Sequence, residues 1–390
     1  MTEPASPHPP ATTTDGPSTA AQRITSLDTI RGIAILGILP MNALVFGLDN
    51  AAYNNLSTDG LDTFLDWAIG LLTLLFIDQK MMALFSLLFG VGVVIFAERV
   101  TAKGRRVVAL SLWRFALLAA VGAVHSLFWV GDILLVYALC APVVLLVRRL
   151  PTGVLATAGV VLALAGSLAA PFVQATVGAD GAELGEYWFA GGAAMSPSVE
   201  TWFGLDAVGR ALGLMLIGVV LYRLGIVQGD RDDAFYRRLA VWGLAVGGAI
   251  TTVGIVVRSV SDWSPDVALV GHIPTGVGTI PMALAYMSLI VLWNRSGSRH
   301  LERFRNTGRM ALTNYLVQTI LGLSMLGWLL ADVDLTRTMI AVWILGVWAL
   351  QLWWSTAWLQ RYRYGPFEWA WRSATYRSRQ PLRRPRTAST

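Results

Sequence analysis

The stretch "RFALLAAVGAVHSLFWVGDILLVYALCAPVVLLVRR", Arg114 to Arg149, settles the fold class. Two apolar runs, 115–131 and 133–147, contain no Lys, Arg, Asp or Glu; a Gly131–Asp132 turn separates them and arginines close both ends. A helix needs about 20 mostly apolar residues to cross a bilayer, so this is a hairpin of two membrane-crossing helices with both outer ends on one side. Uncharged runs recur at 151–179, 211–222, 239–257 and 310–331. They are continuous rather than alternating, which excludes a barrel. Over 390 residues the chain is 55% hydrophobic and 14% charged, with a mean hydropathy of +0.57. Soluble domains carry about a quarter charged residues. The fold class is therefore all-α, a polytopic transmembrane helical bundle in the lipid bilayer.

Charge sets the expected topology. Basic residues cluster at 99–106, 148–149, 223–238 and 295–309 and in the tail, and the turns between these clusters are acidic or neutral. Loops rich in Lys and Arg stay on the cytoplasmic side. Ten spans follow, near 28–47, 81–98, 107–129, 132–148, 153–175, 207–224, 239–257, 267–293, 309–330 and 338–360. Both termini are then cytoplasmic, in a plasma (inner) membrane. Segment 64–78, short and flanked by Asp62, Asp78 and Lys80, is expected along or dipping into the outer interface. Residues 1–22, rich in Pro, Thr, Ser and Ala, form a disordered leader; 23–372 form the membrane domain; 373–390 form a basic tail. From Arg361 to Thr390 eight Arg face one Glu, against a net charge of +6 for the whole chain. On a membrane protein such a tail is a topology anchor near anionic lipid, and nucleic acid is not expected as a partner. Cys140 is the only cysteine, so neither an internal disulfide nor a cysteine-based metal cluster can form, and no metal site is expected.

Ionisable groups inside spans are costly and need a partner or a cavity. In "RITSLDTIRGIAILGILPMN", Arg23 to Asn42, Asp28 and Arg31 share a helix face at the inner end. The pair reads either as a snorkelling arginine with its own counter-ion or as a clamp for phosphate or carboxylate. Arg114 lies at a similar depth. On the outer side His125 stands one turn before Gly131–Asp132. The Asp132 carboxylate is placed to orient that imidazole as a general base, with Tyr137 extending the network. His272, in "ALVGHIPTGVGTIP", opens a helix that Pro and Gly make prone to breaking. Asn314 and Gln318 share a face of the ninth span, fit to join helices or to line a polar path. In "YGPFEWAWRSATY", Gly365 and Pro366 end the last span before a short helix expected to close the inner face beneath Arg31. Walker, HExxH and GxSxG patterns are absent.

The blocks "LDTIRGIAILGILPMN", "LFSLLFGVG", "HSLFWVGDILLVY", "GRMALTNYLVQ" and "YGPFEWAWR", in this order, resemble the YeiB-like membrane proteins, domain of unknown function 418. The Asp-x-x-Arg-Gly block at Asp28, Arg31 and Gly32 is in turn similar to the transmembrane acyltransferase superfamily. That resemblance implies acyl-CoA as a cytosolic co-substrate and a glycan or lipid acceptor outside. Sugar O-acetylases of the superfamily carry a histidine where Asn42 stands here, so the imidazole is expected from His125. The roles that follow are donor binding for Arg31 and Arg114, catalysis for His125 and Asp132, and an oxyanion contact from Asn42 or Lys80. Asp28, Asn42, Lys80, Tyr137, His272, Asn314 and Gln318 are expected around the cavity. The competing reading is a transporter or lipid-handling protein whose solute path the same groups line.

Overall fold

A computed structural model describes residues 24–384, and within them the regular structure is helical apart from one isolated antiparallel bridge, Tyr362 with Arg383. The expected leader at 1–22 and the last residues of the tail lie outside the described residues. The helices are α1 Thr25–Gly47, α2 Phe64–Phe76, α3 Lys80–Ala102, α4 Val107–Ser126, α5 Leu134–Val147, α6 Thr152–Gln174 and α7 Pro197–Arg223. After them come α8 Asp233–Val260, α9 His272–Arg295, α10 Leu301–Arg309, α11 Ala311–Gly322, α12 Arg337–Arg361 and α13 Pro366–Tyr376. By length and composition eight stretches suffice to cross a membrane. The α10–α11 pair, bent by 84°, would make a ninth, and α5 is a shorter apolar helix. All ten expected spans are found as helices.

Segment 64–78 is not a separate helix of membrane-crossing length. It forms α2, which continues through a break at 77–79 into α3, so that Phe64–Ala102 is one apolar stretch of 39 residues. Gln79 in the break adopts φ 62°, a left-handed conformation unusual for a residue with a Cβ. Hydrogen bonds hold it there: its Nε2 donates to Tyr53 Oη (2.8 Å), and its Oε1 accepts from Arg210 (3.4 Å). At the other end of α2 the Asp66 side chain closes a capping box with Thr63 and accepts from Thr338 N and Oγ1, which ties α2 to the start of α12.

Close helix crossings depend on glycine, as they do between helices in lipid generally. A Cβ on Gly32 would fall 1.9 Å from Phe304 O, and one on Gly308 the same distance from Asp28 O, so α1 and α10 touch backbone to backbone. Gly90 and Gly218 do the same for α3 and α7, each facing backbone atoms of the other helix. The core runs along these contacts, with Ile30, Ala34, Leu84, Val91 and Leu214 buried between α1, α3 and α7. The lipid-facing surface keeps large apolar side chains such as Leu146, Val161, Phe172 and Trp242 exposed.

Candidate functional site

A cavity of about 850 Å³ opens between α1, α3, α4, α5, α11 and α13. Its mouth is basic, with Arg31, Arg99, Lys103, Arg105, Arg309 and Arg372, and its depth is apolar and aromatic, with Ile38, Phe85, Phe89, Leu118, Tyr137 and Tyr315. Asp28 and Arg31 both line it, Nη1 to Oδ1 being 3.2 Å, and the arginine side chain stays 30% exposed. Its charge is thus not spent on a closed pair. Arg114 is held between two rings, its guanidinium 4.5 Å from the centroid of Phe96 and 3.9 Å from that of Trp371. Stacking of this kind fixes the plane of the cation while leaving its edge for a ligand.

The floor of the mouth is α13, and Glu368, Trp371, Arg372 and Tyr376 of this helix line the cavity. Glu368 reaches the first turn of α11, accepting from Thr313 N (3.0 Å) and Thr313 Oγ1 (2.5 Å). A carboxylate at a helix N-terminus is favourable, and this one fixes α13 against the point where α10 and α11 bend. Burial raises the Glu368 carboxyl above its ordinary range, an effect that the two Thr313 bonds oppose.

At the far end of the same helices His125 and Asp132 meet across the α4–α5 hairpin, Nδ1 to Oδ1 at 2.7 Å. Asp132 Oδ2 also accepts from Leu135 N (2.8 Å), so one carboxylate orients the ring and caps α5. An ionised Asp132 can only accept, so in this contact Nδ1–H is the donor and Nε2 is left as the ring's lone-pair nitrogen. Nε2 lies 2.9 Å from Thr319 Oγ1 of α11. His125 is not itself in the cavity wall, but Tyr315 is, and the Tyr315 ring packs 5.2 Å from the imidazole. Tyr137 lines the same wall and shares a 2.7 Å hydrogen bond with Ser86. From Arg114 to His125 is eleven residues of α4, roughly 16 Å of helix rise.

The cavity does not reach Asn42, Lys80, His272, Asn314 or Gln318, all expected around it. Asn42 stands one turn beyond Ile38, the last α1 residue in the wall. Asn314 and Gln318 are consumed in joining helices. Asn314 Nδ2 donates to Thr307 O at the α10–α11 bend and to Ser355 Oγ, while Gln318 Nε2 donates to Ile35 O and Gln351 Oε1.

Lys80 and His272 belong to a second buried cluster, formed near the starts of α3, α7 and α9 and the end of α8. Arg210 pairs with Asp206 and donates to Gln79, and its Nη2 lies 3.1 Å from His272 Nε2. Arg258 Nη2 is 3.5 Å from the other ring nitrogen, and Lys80 donates to Leu74 O at 2.7 Å. Lys80 is therefore not positioned to serve as an oxyanion contact for His125. Over this cluster the segment between α6 and α7 folds back: Trp202 of α7 stands edge-on to His272 and Tyr187 edge-on to Trp202, while Trp188 donates to Trp263 O. Burial raises the Tyr187 hydroxyl well above its ordinary range, against the opposing pull of Arg258.

Sequence reasoning missed Thr319, Trp371 and the Asp206–Arg210–Arg258 cluster. Asp206 and Arg210, four apart at the start of an apolar run, did carry a readable signal, that of an i, i+4 ion pair. Among the described residues no group of His, Cys, Asp and Glu is arranged to hold a metal.

The family described as "Protein of unknown function (DUF418)" matches residues 221–378. The chain is 33% identical to "Uncharacterized protein YeiB" of Escherichia coli (strain K12), over 92% of this chain and 98% of that one. It is 29% identical to "Uncharacterized protein YxaH" of Bacillus subtilis (strain 168), over 94% and 97% respectively. A 39.9 kDa uncharacterized protein of Bacillus acidopullulyticus is 27% identical over 93% and 96%. No solved structure matches the chain significantly.

Proposed function

Taking as premise that the chain belongs to the DUF418 family of YeiB-like proteins, we propose that it is a membrane-embedded acyltransferase. It moves an acyl group from cytosolic acyl-CoA to a glycan or lipid acceptor on the outer side of the plasma membrane, with both termini cytoplasmic. The observation that carries this reading is the polarity of the cavity, basic at its inner mouth and apolar in its depth, with a His125–Asp132 pair just past the far wall. A nucleotide carrier with a long neutral arm has the same polarity, and the rise of α4 between Arg114 and His125 suits the reach of a phosphopantetheine arm.

In this reading Arg31 and Arg114 take the phosphates, where a planar fork outperforms a point charge. The arm runs along Phe89, Leu118 and Tyr137. His125 Nε2, made basic and oriented by Asp132, removes the proton of the attacking group; a positioned base of this kind contributes typically 10²–10⁴-fold. An acyl-CoA titration of the purified protein tests the donor site. Arg31→Ala and Arg114→Ala are each expected to weaken binding by at least tenfold, while His125→Ala binds normally and does not transfer. Undiminished donor binding in Arg31→Ala would refute the clamp.

The sharp bend between α10 and α11 at the cavity mouth and the buried charges around His272 favour a second reading, a transporter with the cavity as its inward-facing vestibule. Solute uptake into proteoliposomes free of CoA would support it over acyl transfer.

A further inference from the structure

Asp132, His125 and Thr319 stand in one hydrogen-bonded line, and we propose that the Thr319 hydroxyl is the nucleophile that carries the acyl group as a covalent ester between donor and acceptor. This inference rests on the acyl-transfer reading above and adds a residue that the reading does not use.

The geometry is that of an activated nucleophile: base and hydroxyl within hydrogen-bond reach, and the base oriented by a third group. Asp132 Oδ1 to His125 Nδ1 is 2.7 Å, and His125 Nε2 to Thr319 Oγ1 is 2.9 Å. Because Asp132 fixes the proton on Nδ1, the Thr319 hydroxyl donates to the Nε2 lone pair, the direction in which its proton would leave. All three side chains are buried, so water does not compete for the hydroxyl.

A helical threonine ordinarily returns its hydroxyl to the carbonyl four residues back. Thr29, Thr101, Thr252, Thr279 and Thr307 all do so here. Thr319 does not: its hydroxyl goes to the imidazole, 194 residues away in the chain. The helix that presents it passes at Leu323–Leu329 into a π-helix, a form that recurs near functional sites.

In the first half-reaction Thr319 Oγ bonds to the thioester carbonyl carbon and its proton passes to His125 Nε2. The C–S bond breaks, and the leaving thiolate takes that proton and departs as free thiol. In the second, an acceptor hydroxyl or amine gives its proton to Nε2 and bonds to the ester carbonyl, and Thr319 Oγ leaves with the proton. No redox change or further reactant is involved. A covalent stage separates the two encounters in time, so donor and acceptor need not be present together. Thr319 does not itself line the cavity; Tyr315, one turn before it on α11, does, so the proposal requires the Tyr315 ring to swing aside for the donor to reach Thr319.

The test uses the full-length protein in detergent with isotopically labelled acetyl-CoA and a long-chain acyl-CoA, without acceptor. Donor binding is measured first, and its absence in the wild type overturns the acyl-CoA reading itself. Given binding, hydroxylamine-sensitive label should approach one per chain and map to Thr319 by mass spectrometry. The wild type should also exchange labelled CoA into acyl-CoA. Thr319→Val, nearly isosteric, should lose label and exchange at least 100-fold while still binding donor, whereas Thr319→Ser keeps both. The inference is overturned if folded Thr319→Val transfers acyl groups at the wild-type rate, or if the wild type turns over without a labelled chain and without exchange. Threonine would then only hold the lone pair of a base acting directly on the acceptor.

Discussion

Asp132 carries two tasks on two oxygens, and substitutions can separate them. Asp132→Ala removes both, so it should lower stability by about 1 kcal/mol through the lost α5 cap and abolish transfer. Asp132→Asn keeps an acceptor for Leu135 N but presents the imidazole with an amide that cannot hold the Nδ1 proton as firmly. Thermal unfolding should place Asp132→Asn close to the wild type, while its turnover falls about 10²–10⁴-fold, the usual contribution of a positioned base. Equal stability losses in the two variants would contradict this division of labour. The histidine–aspartate pair was legible in the sequence because its members lie seven residues apart across one tight turn. Thr319 was not, since a lone threonine in an apolar helix has no pattern to distinguish it and its partner comes from a distant helix. Lys80 misled for a related reason: depth in the membrane could be read from the sequence, but which side of α3 it faces could not.

Helix contacts in this bundle depend on two devices, small residues at crossings and polar groups at breaks. Gly32 has no room for a methyl group, with Phe304 O at 1.9 Å from the position of its Cβ, whereas nothing lies within 4 Å at Gly248. Gly32→Ala is therefore expected to cost about 1–3 kcal/mol as α1 is forced off α10, measured as a lower unfolding midpoint in micelles, while Gly248→Ala is neutral or slightly stabilising. At the α11–α13 junction the raised carboxyl of Glu368 gives a pH dependence with a definite sign. Its unfolded form ionises near the ordinary value of about 4.3 and its folded form at higher pH. In that interval the unfolded chain binds fewer protons, and stability falls as pH rises. Glu368→Gln keeps an acceptor for Thr313 N, its amide nitrogen can donate to a reversed Thr313 hydroxyl, and it removes the titration, so its unfolding midpoint should exceed the wild type's at neutral pH and match it at pH 4. The helices themselves were readable from uncharged runs. The break at Met310 was not, because "GRMALTNYLVQ" has no proline there, and what stabilises the bend is Asn314 reaching back to Thr307 O.

Over the whole molecule, basic residues gather at the cavity end and carboxylates such as Glu183 and Glu186 at the other, as the alternation of loops in the sequence implied. Cys140 is buried, so a Cys140→Ser background suits single-cysteine labelling in intact cells. Cysteines at Glu200 and Asp334 should react with a membrane-impermeant maleimide added outside, and those at Lys103 and Arg299 only after permeabilisation. The reverse pattern would invert the topology. The cavity has an electrical corollary. With its mouth on the cytoplasmic side, as proposed, a water-filled vestibule would let the potential of that side penetrate as far as Tyr315 and Tyr137, and the voltage across the membrane would drop over the partition beyond them. Each elementary charge carried through that partition would be resisted or driven by about 2.3 kcal/mol per 100 mV. An uncharged acyl group passed from a phosphate-bearing carrier left behind at the arginines would cross the same partition without electrical work.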